Sequence, residues 1–125
     1  MKDKPKIAIF DLTDCEGCEL EFLNFKEKLL DLSDKFEIAN WRLVSDNEEW
    51  KNIDVAFVEG TPIKKEEVDL LKEIREKSKM VVALGTCAAT GGIPALLSPH
   101  IREKAFKEIY PGKIYENRLP ARPIS

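Results

Sequence analysis

The sequence predicts an α/β fold built on a parallel, doubly wound sheet. Short apolar runs alternate with longer segments of helical periodicity. Gly and Pro punctuate that alternation, and the residues able to carry chemistry fall just past the ends of the apolar runs. Strands that alternate with helices imply parallel βαβ units joined by right-handed crossovers.

Taken in order, residues 6–10 form a short apolar run behind Pro5 and read as a buried first strand. Residues 16–32 carry Leu20, Phe22, Leu23, Leu29, Leu30 and Leu32 at helical spacing, with Glu21, Lys28 and Asp31 left for solvent. Residues 36–44, with Ile38, Trp41 and Leu43, alternate loosely and are expected as a second strand, followed by a polar loop over 46–52. Residues 53–58 are apolar except for Asp54, as a buried parallel strand should be. Glu59-Gly60-Thr61-Pro62 ends that run, and residues 66–79 return to helical periodicity through Val68, Leu71 and Ile74. Residues 80–84 form another buried strand closed by Gly85, Gly91 to Pro94 a turn, and 99–109 a helix. This order suggests a flavodoxin-like sheet that lacks its last strand. The expected organisation is one domain over 1–109 and an extended, Pro-containing tail over 110–125. A sheet so truncated exposes an apolar edge, so the chain is expected to be marginal alone or to pair with a partner.

Composition narrows the function. A formal charge of −3 argues against a nucleic-acid partner, which demands a basic face. No apolar run approaches the roughly 20 residues of a transmembrane segment, and the start of the chain does not resemble a signal peptide; the expected location is the cytoplasm. Fifteen Lys and fifteen Glu, with no Gln, match the bias of heat-adapted proteomes and suggest a thermophile. Three cysteines are too few and too oddly numbered for a secreted disulfide framework, and in a reducing compartment closely spaced thiols serve as metal ligands or redox groups.

In an open α/β sheet, sites form beyond the carboxyl ends of the strands. Cys15 and Cys18 follow the first strand, Glu59 and Gly60 the third, and Gly85, Thr86 and Cys87 the fourth. In Cys15-Glu16-Gly17-Cys18, two intervening residues let both sulfurs face one centre, and Gly17 permits the tight turn between them. Thiolates suit iron, and small residues at Gly85-Thr86 allow close backbone approach. Other readings remain open on the residues alone. Cys15 and Cys18 suit a dithiol at a helix start; three thiols plus one more ligand suit zinc; Cys87 alone suits a buried apolar position. Glu59 suits a cap on the following turn, and Glu16 and Glu19 suit a helix's first turn. His100 suits a surface or capping role, and Trp41 and Trp50 suit packing. The glycines of 85–92 lack the lysine and spacing of a phosphate loop.

Asp14-Cys15-Glu16-Gly17-Cys18-Glu19, Val58-Glu59-Gly60 and Gly85-Thr86-Cys87-Ala88 with Gly91-Gly92-Ile93-Pro94 resemble the proximal-cluster motifs of NiFe hydrogenase small subunits. The pattern is that of the archaeal cytoplasmic sulfhydrogenase and methyl-viologen-reducing types. The related 20 kDa subunit of respiratory complex I has adjacent cysteines in its first motif, so Cys-x-x-Cys favours the hydrogenase branch. The resemblance implies a flavodoxin-like domain whose Cys15, Cys18 and Cys87 ligate the iron of a 4Fe-4S cluster. Glu16, Gly17, Glu59, Gly60, Gly85 and Thr86 would lie around those ligands. It also implies electron relay to or from the NiFe site of a partner large subunit, service to further electron-transfer subunits, and no H2 chemistry from this chain alone. The family's fourth ligand, a Cys in a Gly-Cys-Pro motif, has no counterpart up to Ser125, so the resemblance implies a chain cut short before it. A dithiol–disulfide oxidoreductase using Cys15 and Cys18, or a cofactor-free interaction module, are the alternatives.

Overall fold

A computed structural model describes residues 3–46, 50–114 and 119–124. Its elements are β1 (Lys6–Asp11), α1 (Gly17–Leu23), α2 (Glu27–Ser33), β2 (Glu37–Asn40), β3 (Ile53–Glu59), α3 (Lys65–Lys77), β4 (Ser78–Leu84), α4 (Gly85–Thr90), a 3-10 turn (Ile93–Leu96) and α5 (Pro99–Ile109). The sheet is all parallel with strand order β2-β1-β3-β4. This is the flavodoxin-like order, and among the described residues it ends at β4, where Met80 is largely exposed.

The two faces of the sheet are built by the period of two along each strand. Ala8 and Phe10 of β1 and Ala56 and Val58 of β3 form one face, closed by Ile74, Leu70 and Leu71 of α3. Trp50 stacks 4.8 Å from Phe10 on this side, with the Lys77 ammonium 5.6 Å over its ring. On the other face, Ile7, Ile9 and Phe57 look toward Phe22 and Leu29 of the first two helices. Phe22 makes edge contacts with Phe57 and with the buried Trp41. An apolar cavity of about 430 Å³ remains between this helix layer and the sheet.

Three boundaries differ from expectation. The single helix expected over 16–32 is two, because Asn24 closes α1 with its side chain on Glu21 and Lys26 turns to a φ of 45°. Both short helices face the cavity, α1 through Phe22 and α2 through Leu29 and Leu32. The second strand is Glu37–Asn40 only, since Val44 N–H and Ser45 N–H both turn back to the Trp41 carbonyl. The third helix stops at Lys77, and β4 starts at Ser78, which pairs with Ile53. Glu67 starts that helix: its Oε2 accepts from the N–H groups of Ile63 and Lys64, and its Oε1 from Thr13 Oγ1 at 2.7 Å. No described helix is long and apolar enough to cross a membrane.

Candidate metal centre at the carboxyl edge of the sheet

β1 and β3 end side by side, and the chain leaves β1 through Leu12 N–H to Glu59 O and a bridge between Thr13 and Thr61. Asp14 Oδ1 then accepts from Glu16 N–H at 3.1 Å, Glu16 adopts a φ of 61°, and Gly17 opens α1. The turn presents Cys15 to solvent and Cys18 half-buried. Glu59 anchors it. This carboxylate is 2% exposed and accepts from Cys18 N–H at 3.1 Å and Glu19 N–H at 3.2 Å. Gly60 lets the Cys15 loop close, because a Cβ there would sit 2.8 Å from Thr13 O.

The segment after β4 is the helix α4, and its first residue lies directly under Cys18. A Cβ on Gly85 would fall 2.3 Å from Cys18 Sγ. Cys87 is half-buried in the same helix, and a Cβ on Gly92 would fall 2.9 Å from its Sγ. A Cβ on Gly17 would approach Cys15 Sγ to 3.3 Å. All three cysteines are free thiols, and each has a glycine against its sulfur. Glu16 is 3.9 Å from Arg42, and Thr86 is exposed, with its carbonyl accepting from Thr90 Oγ1.

The electrostatics of this edge are acidic. Burial, then the charges of Glu59, Cys15 and Cys87, push the Cys18 thiol up. Burial and Glu59 lift Asp14 from 3.8 to about 6; burial, Asp11 and Glu59 lift Glu19 from 4.5 to about 7. Glu19 is 2% exposed, and a side-chain hydrogen bond with Trp41 offsets only part of its rise. Both carboxyls bind protons more tightly in the folded chain, so the folded state holds more protons between about pH 4 and 7. Stability must therefore fall as pH rises through that window. Full ionisation costs at most on the order of 3 kcal/mol per carboxyl, and the two are not additive because they share neighbours. Urea unfolding of the metal-free chain at pH 5, 6, 7 and 8 should show a steady decline.

The donor set discriminates among metals. Four thiolates around one zinc at 2.3 Å stand roughly 3.8 Å apart. Among the described residues, the ligand atoms that gather within 4.8 Å are carboxylates of Asp11, Asp14 and Glu16, not the three sulfurs. A polynuclear cluster takes each thiolate on a different iron and spreads them wider. Soft donors, wide spacing and glycine-cleared surroundings fit an iron–sulfur cluster better than a single ion.

Two further features of the edge carry no local sequence signal. Asp11 joins the acidic groups and pairs loosely with Arg42 at 3.6 Å. Thr61, fully buried, exchanges two hydrogen bonds with Arg122. Both depend on segments brought together by the fold.

The chain is 37% identical over 117 residues to a vhu subunit of the F420-non-reducing hydrogenase of Methanococcus voltae, covering 94% of this chain and 41% of that protein. It is 34% identical over 121 residues to sulfhydrogenase 2 subunit delta of Pyrococcus furiosus, covering 96% and 50%. The chain thus spans half or less of the length of these relatives. Among solved structures, a chain of the NAD+-reducing [NiFe]-hydrogenase in the H2-reduced state superposes with a TM-score of 0.78 and 26% identity, covering 98% of this chain and 67% of that one. The family model described as NADH ubiquinone oxidoreductase, 20 Kd subunit, matches residues 15–121, from the first cysteine to the returning tail. On that match the chain belongs to the 20 kDa subunit family of NADH ubiquinone oxidoreductase, within which it is similar to hydrogenase small subunits.

Proposed function

We propose that the chain is the cluster-holding part of an electron-transfer subunit in a NiFe hydrogenase-type oxidoreductase. Cys15, Cys18 and Cys87 are three thiolate ligands of a 4Fe-4S cluster, and the fourth comes from outside residues 1–125. The observation that carries the reading is the meeting of Cys18 and α4 at one sheet edge, where glycines stand in place of any side chain that would fill the space. When bound, such a cluster passes single electrons between redox centres. The chain's own residues hold and shape the site. Glu59 fixes the backbone at Cys18 and Glu19, and the positions facing each sulfur stay bare. The partner is a large subunit carrying the NiFe site, with further electron-transfer subunits beyond, in the cytoplasm.

A dithiol needs only Cys15 and Cys18, and it leaves the third thiol, Cys87 on α4, without a role. Protein loaded anaerobically with iron and sulfide should be brown and contain the two in equal amounts, and Cys87→Ser should lose most of both. Colourless wild-type protein that reduces insulin disulfides, with Cys87→Ser unimpaired, would overturn the proposal.

A further inference from the structure

We propose that Thr61 is a positioning residue that ties the far side of the Cys87 helix to the Cys15–Cys18 loop, an inference that rests on the proposed cluster. Among the described residues, two hydrogen-bonded routes join these segments. One is the β3–β4 ladder, in which Glu59 holds Cys18 N–H and pairs with Leu84, next to Gly85. That route reaches only the near end of α4.

Thr61 supplies the other. Its N–H donates to Thr13 O at 3.0 Å, two residues before Cys15. Its Oγ1 donates to Arg122 O at 2.7 Å and accepts from Arg122 N–H at 2.9 Å. Two residues further, Ile124 N–H donates to Ala88 O at 3.0 Å, and Ala88 is buried beside Cys87. The same tail packs on the end of α4, where a Cβ on Gly91 would stand 3.5 Å from Arg122 Cα and 3.6 Å from Ala121 O. Leu119 N–H on Ile63 O completes the attachment. Thr61 is 0% exposed, and a hydroxyl is the group this place requires, because one atom both donates and accepts. Cys87 is thus held from both sides: by the sheet, and by a tail whose side-chain anchor nearest α4 is Thr61. The function of the brace is to keep the Cys87 sulfur at a set distance from Cys15 and Cys18, on which retention of a shared cluster depends.

The test compares Thr61→Val, which keeps the shape and deletes both bonds, with Thr61→Ser, which restores the hydroxyl, and with Arg122→Pro, which removes one donor and leaves Thr61 untouched. In loaded protein, iron loss to a chelator should be about tenfold faster in Thr61→Val and faster in Arg122→Pro, with Thr61→Ser near wild type. In metal-free protein, amide exchange at Ile124 and alkylation of Cys87 should accelerate by a similar factor, while exchange at Ala56 and Val58 in the sheet stays unchanged. Wild-type rates of iron loss, Ile124 exchange and Cys87 alkylation in both Thr61→Val and Arg122→Pro would overturn the proposal. Should Thr61→Val not fold, Arg122→Pro decides alone. A wild-type chain that takes up no iron overturns the cluster proposal instead, and the metal-free rates then decide the role of Thr61.

Discussion

Replacing Glu59 by alanine should lower the stability of the metal-free chain by about 3 kcal/mol at pH 6. The carboxylate is buried and takes two backbone N–H groups at the start of α1. Hydrogen bonds to a charged group are worth about 1.5–3 kcal/mol each, and alanine leaves both donors without a partner in a place water reaches poorly. The same charge has an opposing effect, since it raises Asp14, Cys18 and Glu19. At pH 6 much of that repulsion is already relieved by protonation, because Asp14 titrates near 6 and Glu19 near 7. The lost hydrogen bonds therefore win. Glu59→Gln separates the two effects: it keeps one acceptor, removes the charge and should cost about half as much. It should also make stability less pH-dependent between pH 5 and 8. The slope should shrink rather than vanish, because burial, which Gln does not change, is the larger cause at both carboxyls. A urea series at four pH values measures cost and slope together. An unchanged slope in Glu59→Gln would mean that Glu59 does not face these groups.

What could be read from the sequence divides by distance along the chain. The strands β1, β3 and β4 were legible because parallel strands are nearly continuous apolar runs, but β4, expected to be buried, lies at the sheet edge with Met80 and Ala83 exposed. The break at Asn24 to Lys26 was not legible. Leu and Phe spacing fits one long helix as well as two short ones, and the turn at Asn24 to Lys26, where Lys26 takes a φ of 45°, leaves no mark on that spacing. The short second strand fails for the same reason. Trp41 to Val44 has strand-like composition, yet burying Trp41 turns the chain. At the site, the cysteines and their strand-end placement were visible because each motif is local. The contact of Cys18 with Gly85 and the bonds of Thr61 to Arg122 join residues more than 60 apart, and only the closed sheet brings them together. Glu59 lies between these cases: the sequence placed it near the thiols, and the fold made it the acceptor for Cys18 and Glu19. The relatives being hydrogenase subunits agrees with the Cys-x-x-Cys spacing, the one local feature that distinguished them from complex I.

Gly85→Ala should both destabilise this chain and displace the Cys18 sulfur. Two costs arise together. Gly85 has a φ of +83°, where an L side chain costs about 1–2 kcal/mol. The new Cβ would also stand 2.3 Å from Cys18 Sγ and 3.3 Å from Cys18 Cβ, so either the sulfur or the start of α4 must move. Overpacking of this kind costs about 1–3 kcal/mol more, and the total is a sizeable share of the 5–15 kcal/mol that holds a domain together. Gly112 supplies the control. Its φ is +79°, yet among the described residues nothing lies within 4 Å of where its Cβ would be. Gly112→Ala should therefore show the backbone cost alone, and the difference between the two variants isolates the collision with Cys18. The readouts are urea unfolding of metal-free protein and iron content after anaerobic loading. Gly112→Ala should take up iron as wild type does, and Gly85→Ala should take up little. Equal destabilisation of the two variants, or full iron uptake by Gly85→Ala, would mean that the Cys18 sulfur does not stand over α4, and the three thiols would then not share one centre.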